Sequence, residues 1–365
     1  MSNIRLPERL TAALSPISWP QKLLLAALFS AVCALAVWGT LFSPAHWWGD
    51  PEAQRVTVAP GSNARAIAIE LADAGLIRNA AAFRLLGRAT GNTSGMRAGV
   101  YDFSPKENSW QILRRLSRGD SVDLAVTVTI PEGYTVKQIA QVLESHGICK
   151  ASDFLIYLRT AALPYDFLGQ QSAQVPVEGR FEGLLFPDSY RLLPGTSPTE
   201  VVQVMTGRFR QVMEGLLPTA VLQGGKTENT PVALDMQQLI TLASIIEREA
   251  VVDEERGTIA GVFYNRLKIN QPLQSCATVQ YILEKVKPVL SIADTETKSP
   301  YNTYRNGGLT PGPIAVAGLP SLQAALSPTA TDYYYFVAIG DGSGQHIFSK
   351  TFAEHNQAIR DLSNK

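Results

Sequence analysis

Two glutamates separated by one residue close an apolar segment: residues 239–249 read L-I-T-L-A-S-I-I-E-R-E and end in Glu247 and Glu249. On an α-helix, residues two apart point about 200° from each other, so the pair cannot share one role. Glu249 stands at i+4 from Ile245 and i+7 from Leu242, on the apolar stripe. Glu247 follows Ala243 and Ser244 at the stripe's edge. A carboxyl on a buried face is costly unless something uses it. Desolvation raises its pKa, which suits a carboxylic general acid near neutral pH. The same pattern also fits a structural ion pair, with Arg248, Arg256 or Arg266 as partner. Glu247, Arg248, Glu254, Glu255 and Arg256 read mostly as solvated charges.

Several elements must position such an acid. A second helix is expected over Thr258–Leu267, carrying Asn265 and Arg266, the latter either a structural clamp or a ligand contact. Pro272–Tyr281 offers Gln274, Ser275, Thr278, Gln280 and Tyr281 as hydrogen-bonding side chains, and Y-N-T-Y at 301–304 precedes a Gly/Pro-rich loop at 307–320. Aromatic faces with amides and hydroxyls are the chemistry of sugar binding, and equally of a core. Tyr333–Ala338 and Gln345–Ser349 read as a hairpin around Asp341–Gly344, with His346 reaching the site or capping the sheet. Upstream, helices are expected at Ala151–Ala161 and Pro198–Leu216, and a strand and turn at Phe181–Tyr190. Glu182 and Asp188 flank that turn and are both worth noting for the site, the plain alternatives being turn chemistry for Asp188 and a surface charge for Glu182. Leu217–Thr230 reads as a mobile linker.

The N-terminal part reads as an anchor. The run from Leu23 to Phe42 carries no charge and spans about 30 Å as a helix, one hydrocarbon core. Arg5, Arg9 and Lys22 precede it against Glu8, and Asp50 and Glu52 follow, which places the N-terminus in the cytoplasm and the rest outside. Trp38, Trp47 and Trp48 suit an interfacial belt. A cleaved signal peptide is disfavoured by the length of the run and the lack of an A-x-A site.

After the anchor the chain repeats itself. P-G-S-N-A-R-A-I-A-I-E-L-A-D-A-G-L-I at 60–77 aligns with P-E-G-Y-T-V-K-Q-I-A-Q-V-L-E-S-H-G-I at 131–148, matching Gly61 with Gly133, Leu71 with Leu143 and Gly75 with Gly147. Each copy reads as a strand, a Pro/Gly turn, a helix and a glycine C-cap. Strands are expected at Arg55–Ala59 and Leu124–Ile130, and further helices at Ala81–Ala89 and Ser109–Ser117. Tyr101, Phe103, Trp110 and Tyr134 are too few and too separated to be told from core.

Composition narrows the classes. Hydrophobic residues make up 45% and charged residues 18%, a folded chain, and a net charge of zero gives no nucleic-acid footprint. His46, His146, His346 and His355 are scattered and no phosphate-binding loop is present, so neither a metal nor any other cofactor is expected. Cys33 lies in the apolar run; Cys149 and Cys276 face an oxidising compartment, with their pairing open.

Taken in order, L-A-S-I-I-E-R-E at 242–249, V-F-Y-N-R-L at 262–267, L-Q-S-C-A-T-V-Q-Y at 273–281, Y-N-T-Y at 301–304, G-L-T-P-G-P-I-A at 308–315, Y-Y-F-V at 334–337 and G-Q-H-I-F at 344–348, with F-E-G-L-L-F-P-D-S-Y at 181–190 upstream, resemble the YceG-like (MltG-type) endolytic murein transglycosylases. The resemblance covers roughly residues 55–360. Cys276 departs from it, standing where many members look to carry Asp. The resemblance implies an α+β chain: a cytoplasmic tail at 1–22, a transmembrane helix at 23–43, a linker at 44–54, a LysM-like region with the repeat at 55–148 and a mixed α+β catalytic domain at 149–365. It implies a single-pass inner-membrane protein with its catalytic domain on the outer face. The substrate would be peptidoglycan glycan strands, cut between N-acetylmuramic acid and N-acetylglucosamine with 1,6-anhydro ends, and cell-wall synthases would be partners. Glu249 would be acid and then base, and Glu247 an alternative or a supporting residue. Gln274, Asn302 and Tyr304 would hold the sugars. The alternatives are a noncatalytic wall-binding scaffold and a water-using muramidase.

Overall fold

The structure is a computed structural model and describes residues 19–45, 52–92, 95–165, 174–287 and 289–364. The chain falls into two compact units that divide between Leu124 and Ala125.

In the first unit, helix α1 (Trp19–Phe42) is the charge-free run, extended at its start by a turn that accommodates Pro20, whose missing N–H is harmless there. It is long and apolar enough to cross a membrane. The flanking Arg5, Glu8, Arg9, His46, Trp47, Trp48 and Asp50 lie outside the described residues. Strand β1 (Gln54–Val58), helices α2 (Ala64–Asp73) and α3 (Ala80–Ala89) and strand β2 (Gly99–Phe103) follow, then α4 (Ser109–Arg118). β1 and β2 pair antiparallel with Val56 opposite Tyr101. Alternation buries Val56, Val58, Tyr101 and Phe103 on one face, against Ile67, Leu71, Phe83, Ile112 and Leu116. Tyr101 and Phe103 are therefore core, their rings stacked at 5.4 Å; Trp110 is exposed.

The second unit begins with the second copy of the repeat. Strand β3 (Val126–Thr129) leads to α5 (Val136–Ser145) and α6 (Ala151–Leu158), and the copy closes with strand β4 (Ser189–Leu192), antiparallel to β3 with Val128 opposite Tyr190. Both copies are thus β-α-α-β. Gly75 and Gly147 take φ of 67° and 69°, and the amides behind them close the same turn, Leu76 to Leu71 and Ile148 to Leu143, both at 2.9 Å. A division at residue 148 was expected from the repeat; by compactness, the second copy lies inside the second unit.

Helix α7 (Pro198–Leu216) starts at a Ser197–Glu200 capping box, with Pro198 in its first turn. The segment expected to be a linker holds a one-turn helix, α8 (Thr219–Leu222), and a bridge between Lys226 and Asp235. Helix α9 (Met236–Glu249) buries every residue from Leu239 to Ile246 and forms the centre of the core. Helix α10 (Asp253–Lys268) begins earlier than expected, because Asp253, Glu254 and Glu255 favour the positive end of its dipole. Helices α11 (Cys276–Leu283), α12 (Ile292–Thr295) and α13 (Leu319–Leu326) follow, then the hairpin of β5 (Tyr335–Ala338) and β6 (His346–Ser349) and the closing helix α14 (Phe352–Ser363). α13 packs on α9 and α10, and α11 on the C-terminal part of α9. The result is a mixed α+β fold whose sheets, three among the described residues, are two-stranded.

Candidate active site

The two glutamates of α9 diverge as their spacing requires. Glu247 turns toward α13. Its Oε2 accepts the N–H of Gly318, the N-cap of α13, at 3.0 Å, and lies 3.4 Å from Arg256 Nη1. Its side chain is only 6% exposed. Arg256 is held in turn by Asp253 at 2.8 Å and Ser321 Oγ at 2.6 Å. The solvated reading of Glu247 and Arg256 does not hold: together they fasten α9, α10 and α13.

Glu249, the last residue of α9, turns toward α11. Its Oε1 accepts the Ser275 hydroxyl and, at 3.4 Å, the Ala277 N–H. Burial pushes its carboxyl pKa up; the Ser275 and Ala277 hydrogen bonds and the charges of His346 and Arg248 oppose that only in part. None of the arginines forms an ion pair with Glu249 among the described residues. Such a group holds its proton further toward neutrality than an exposed glutamic acid does.

The partners of Glu249 are set by a threonine and serine lattice between 274–278 and 302–304. Ser275 N–H donates to Thr303 Oγ1 at 3.0 Å, Thr278 Oγ1 donates to Ser275 O at 2.8 Å and lies 2.9 Å from Thr303 Oγ1. Gln274 N–H donates to Thr303 O at 3.0 Å, leaving the Gln274 side chain exposed on a left-handed backbone with φ of 50°. Tyr304 lies beside this edge, its hydroxyl 3.1 Å from Cys276 Sγ. Cys33, Cys149 and Cys276 are all free.

Asn302 corrects an expectation. It is fully buried; its amide hydrogens go to Thr295 O at 2.9 Å and Thr297 O at 2.7 Å, and its Oδ1 accepts Tyr304 N–H at 2.9 Å. No hydrogen of its amide is left for a sugar, so Asn302 shapes the loop that presents Tyr304. Arg266 is a clamp, donating to Tyr334 O, Pro272 O and Leu273 O at 2.6, 3.1 and 2.7 Å. His346 is fixed by Glu255, whose carboxylate meets its Nδ1 at 2.7 Å and its N–H at 3.1 Å.

Glu182 is a second correction. It is buried, not a surface charge: Oε1 accepts the Val136 N–H at 2.8 Å and Oε2 the Tyr281 hydroxyl at 3.3 Å. It lines a cavity of about 620 Å³ together with Thr135, Gln141, Arg248, Ala277, Tyr281 and Tyr301. Ala277, whose N–H faces Glu249, joins this cavity to the carboxyl. Asp188 pairs with Arg208 at 2.7 Å and caps Ser189 N–H at 2.8 Å.

The arrangement defines an α+β protein that presents the desolvated Glu249 carboxyl beside a cavity lined by a second buried carboxyl, Glu182. Comparison with known proteins places it. The model of the YceG-like family matches residues 56–361. The chain is 34% identical over 315 residues to an endolytic murein transglycosylase of Bacillus subtilis (strain 168), covering 83% of each. It is 30% identical over 328 residues to one of Streptococcus pneumoniae serotype 2, covering 82% of this chain and spanning 58% of that longer relative. A crystal structure described as a YceG-like protein of Listeria monocytogenes superposes with a TM-score of 0.54 at 32% identity, over 85% of this chain and 99% of that one. The chain belongs to the YceG-like family.

Proposed function

We propose that the chain is a membrane-anchored lytic transglycosylase that cuts peptidoglycan glycan strands internally. The relatives' names support the activity. The observation that carries the mechanism is Glu249: it is desolvated, and its hydrogen-bond partners among the described residues are the donors Ser275 and Ala277, not a second carboxyl. Hydrolytic glycosidases ordinarily use two carboxyls, one of them to activate water or attack C1. A transglycosylase needs one. Glu249 as acid gives its proton to the glycosidic oxygen, and the C1–O bond breaks with the leaving sugar departing as its alcohol. Glu249, now a carboxylate, takes the proton of the muramyl C6 hydroxyl, and O6 closes on C1 as a 1,6-anhydro ring. The Ser275 and Ala277 donors stabilise the intervening carboxylate. The exposed Gln274 amide and the Tyr304 hydroxyl are positioned to hold sugar hydroxyls.

Around this centre, α1 serves as a single-pass anchor with the catalytic unit on the outer face. Residues 55–148 serve as a LysM-like region, in keeping with the β-α-α-β order of the first copy of the repeat, with a packing or positioning role. Cell-wall synthases are the expected neighbours.

Product mass spectrometry on purified strands tests the reading. Anhydro-muramyl ends are expected, and Glu249→Gln should lower their release by roughly 100- to 10,000-fold. Reducing ends would make the chain a muramidase, and no fragments at all would make it a wall-binding scaffold.

A further inference from the structure

Glu182 is held too carefully for a bystander. Gly183 behind it has φ of 77°, and a Cβ there would stand 2.8 Å from both Ile240 and Pro313, so the backbone under the carboxyl is locked against α9 and the 308–317 loop. Yet nothing in the fold requires an acid at this point. Glu182 accepts the Val136 N–H that the Thr135–Gln138 capping box of α5 leaves over, but a neutral amide oxygen would serve there equally. Lys137, whose charge bears on it, is paired with Glu284. A buried carboxyl without a paired cation is a cost the local structure does not explain.

The cavity it lines has the composition of a sugar pocket. Tyr281 and Tyr301 lie with ring centroids 5.3 Å apart and tilted by 39°, presenting aromatic carbon beside the Glu182 carboxyl. Gln141 and Thr135 add amide and hydroxyl groups to its wall. Aromatic faces take the C–H side of a pyranose, while amides, hydroxyls and carboxyls take its oxygens.

We infer that this cavity is a saccharide subsite flanking the scissile bond, in which Tyr281, backed by Tyr301, takes the face of an N-acetylated sugar ring and the protonated Glu182 carboxyl donates a hydrogen bond to one of that ring's oxygens. The inference rests on the glycan-cutting reading of Glu249. It gives an internal cut its footing, because a strand gripped on one side of the bond at Glu182 runs past Ala277 to Glu249. Burial pushes the Glu182 pKa up to about 7, with the Val136 N–H, the Tyr281 hydroxyl and Lys137 opposing, so the acid form is well populated at neutral pH.

The test uses the full chain carrying Glu249→Gln, which binds without turning over, titrated with purified uncross-linked glycan strands in a calorimeter. Tyr281→Ala and Glu182→Ala should each weaken binding by roughly tenfold. With Glu182 present, affinity should fall roughly tenfold between about pH 6 and pH 8.5 as its proton is lost. Glu182→Gln, of the same shape and always a donor, should bind with little change across that range. Lys137, Glu284, Lys285 and Arg248 face the same cavity, so the Glu182→Gln chain carries their contribution as the control. A chain that releases anhydro ends when Glu249 is intact, but whose strand affinity ignores Glu182 and Tyr281, overturns the subsite alone. A chain that neither binds nor cuts strands overturns the glycan reading and the subsite with it.

Discussion

Ser275 donates its hydroxyl hydrogen to Glu249, joining the N-cap of α11 to the last residue of α9. This bond favours the charged carboxylate and opposes the desolvation that raises the pKa. Ser275→Ala should therefore raise that pKa further. An acid must be protonated to act, so activity should persist to higher pH on the alkaline side while its maximum falls. A pH–rate profile of the variant checks this; an alkaline limb that moves to lower pH would contradict it.

Glu247 and Glu249 should separate by phenotype. Glu249→Gln should fold with an unchanged denaturation midpoint and lose turnover. Glu247→Gln leaves Arg256 short of one partner in a nearly dry setting, though Asp253 still holds it. It should cost about 1–3 kcal/mol of stability, with turnover reduced far less than in Glu249→Gln. Denaturant melts and anhydro-product release on the same two preparations decide the assignment. The reverse pattern would move the acid two residues upstream.

Glu182 makes stability depend on pH in a predictable sense. Its pKa is about 7 in the folded chain against an ordinary value of 4.5 for an exposed glutamic acid. Below the lower value both folded and unfolded chains hold the proton. Between the two values the unfolded chain releases it first, so stability declines as pH rises and levels off above the folded pKa. The decline amounts to about 3 kcal/mol. Glu182→Gln should lack it, so the variant should gain on the parent chain between about pH 5 and pH 8 by that order. Chemical denaturation at both values measures the difference.

Cys276 offers a chemical handle on the site. It is exposed at the start of α11, beside the Tyr304 hydroxyl and next in sequence to Ser275. Desolvation chiefly pushes its thiol pKa up, so alkylation should be slow near neutrality and quicken as pH rises. A bulky maleimide at Cys276 should abolish strand cutting, and Cys276→Ser should be cut-competent and immune. Peptide mass mapping alongside activity would show whether labelling and loss coincide.

The parts of this site governed by periodicity were legible in the sequence. The apolar run that makes α9, the divergence of Glu247 from Glu249 and the paired glycines of the repeat all follow from local geometry. The Pro198 helix start was legible for the same reason, since Ser197 and Glu200 cap it from nearby. Partner choice was not legible. Nothing in the spacing says that Ser275 rather than Gln274 meets Glu249, or that Asn302 turns inward to close on Thr295 and Thr297. Glu182 read as a surface charge because its burial depends on Tyr281 and Val136, both distant in sequence. Hydrophobic period reports which way an element faces; it does not report which polar group waits on the other side.

The second β-α-α-β copy differs from the first in one respect, the long detour between α6 and β4. In the first copy the chain passes from α3 to its closing strand with little between. In the second it departs after α6, brings Gly183 against Ile240 of α9 and Glu182 against Val136 and Tyr281, and only then returns as β4 to complete its pairing with β3. The frame closes on itself in both copies, with a short connection before the last strand in one and a long one in the other. The detour carries the F-E-G-L-L-F-P-D-S-Y stretch, so the second copy gains Glu182 where the first has only a short connection between helix and strand.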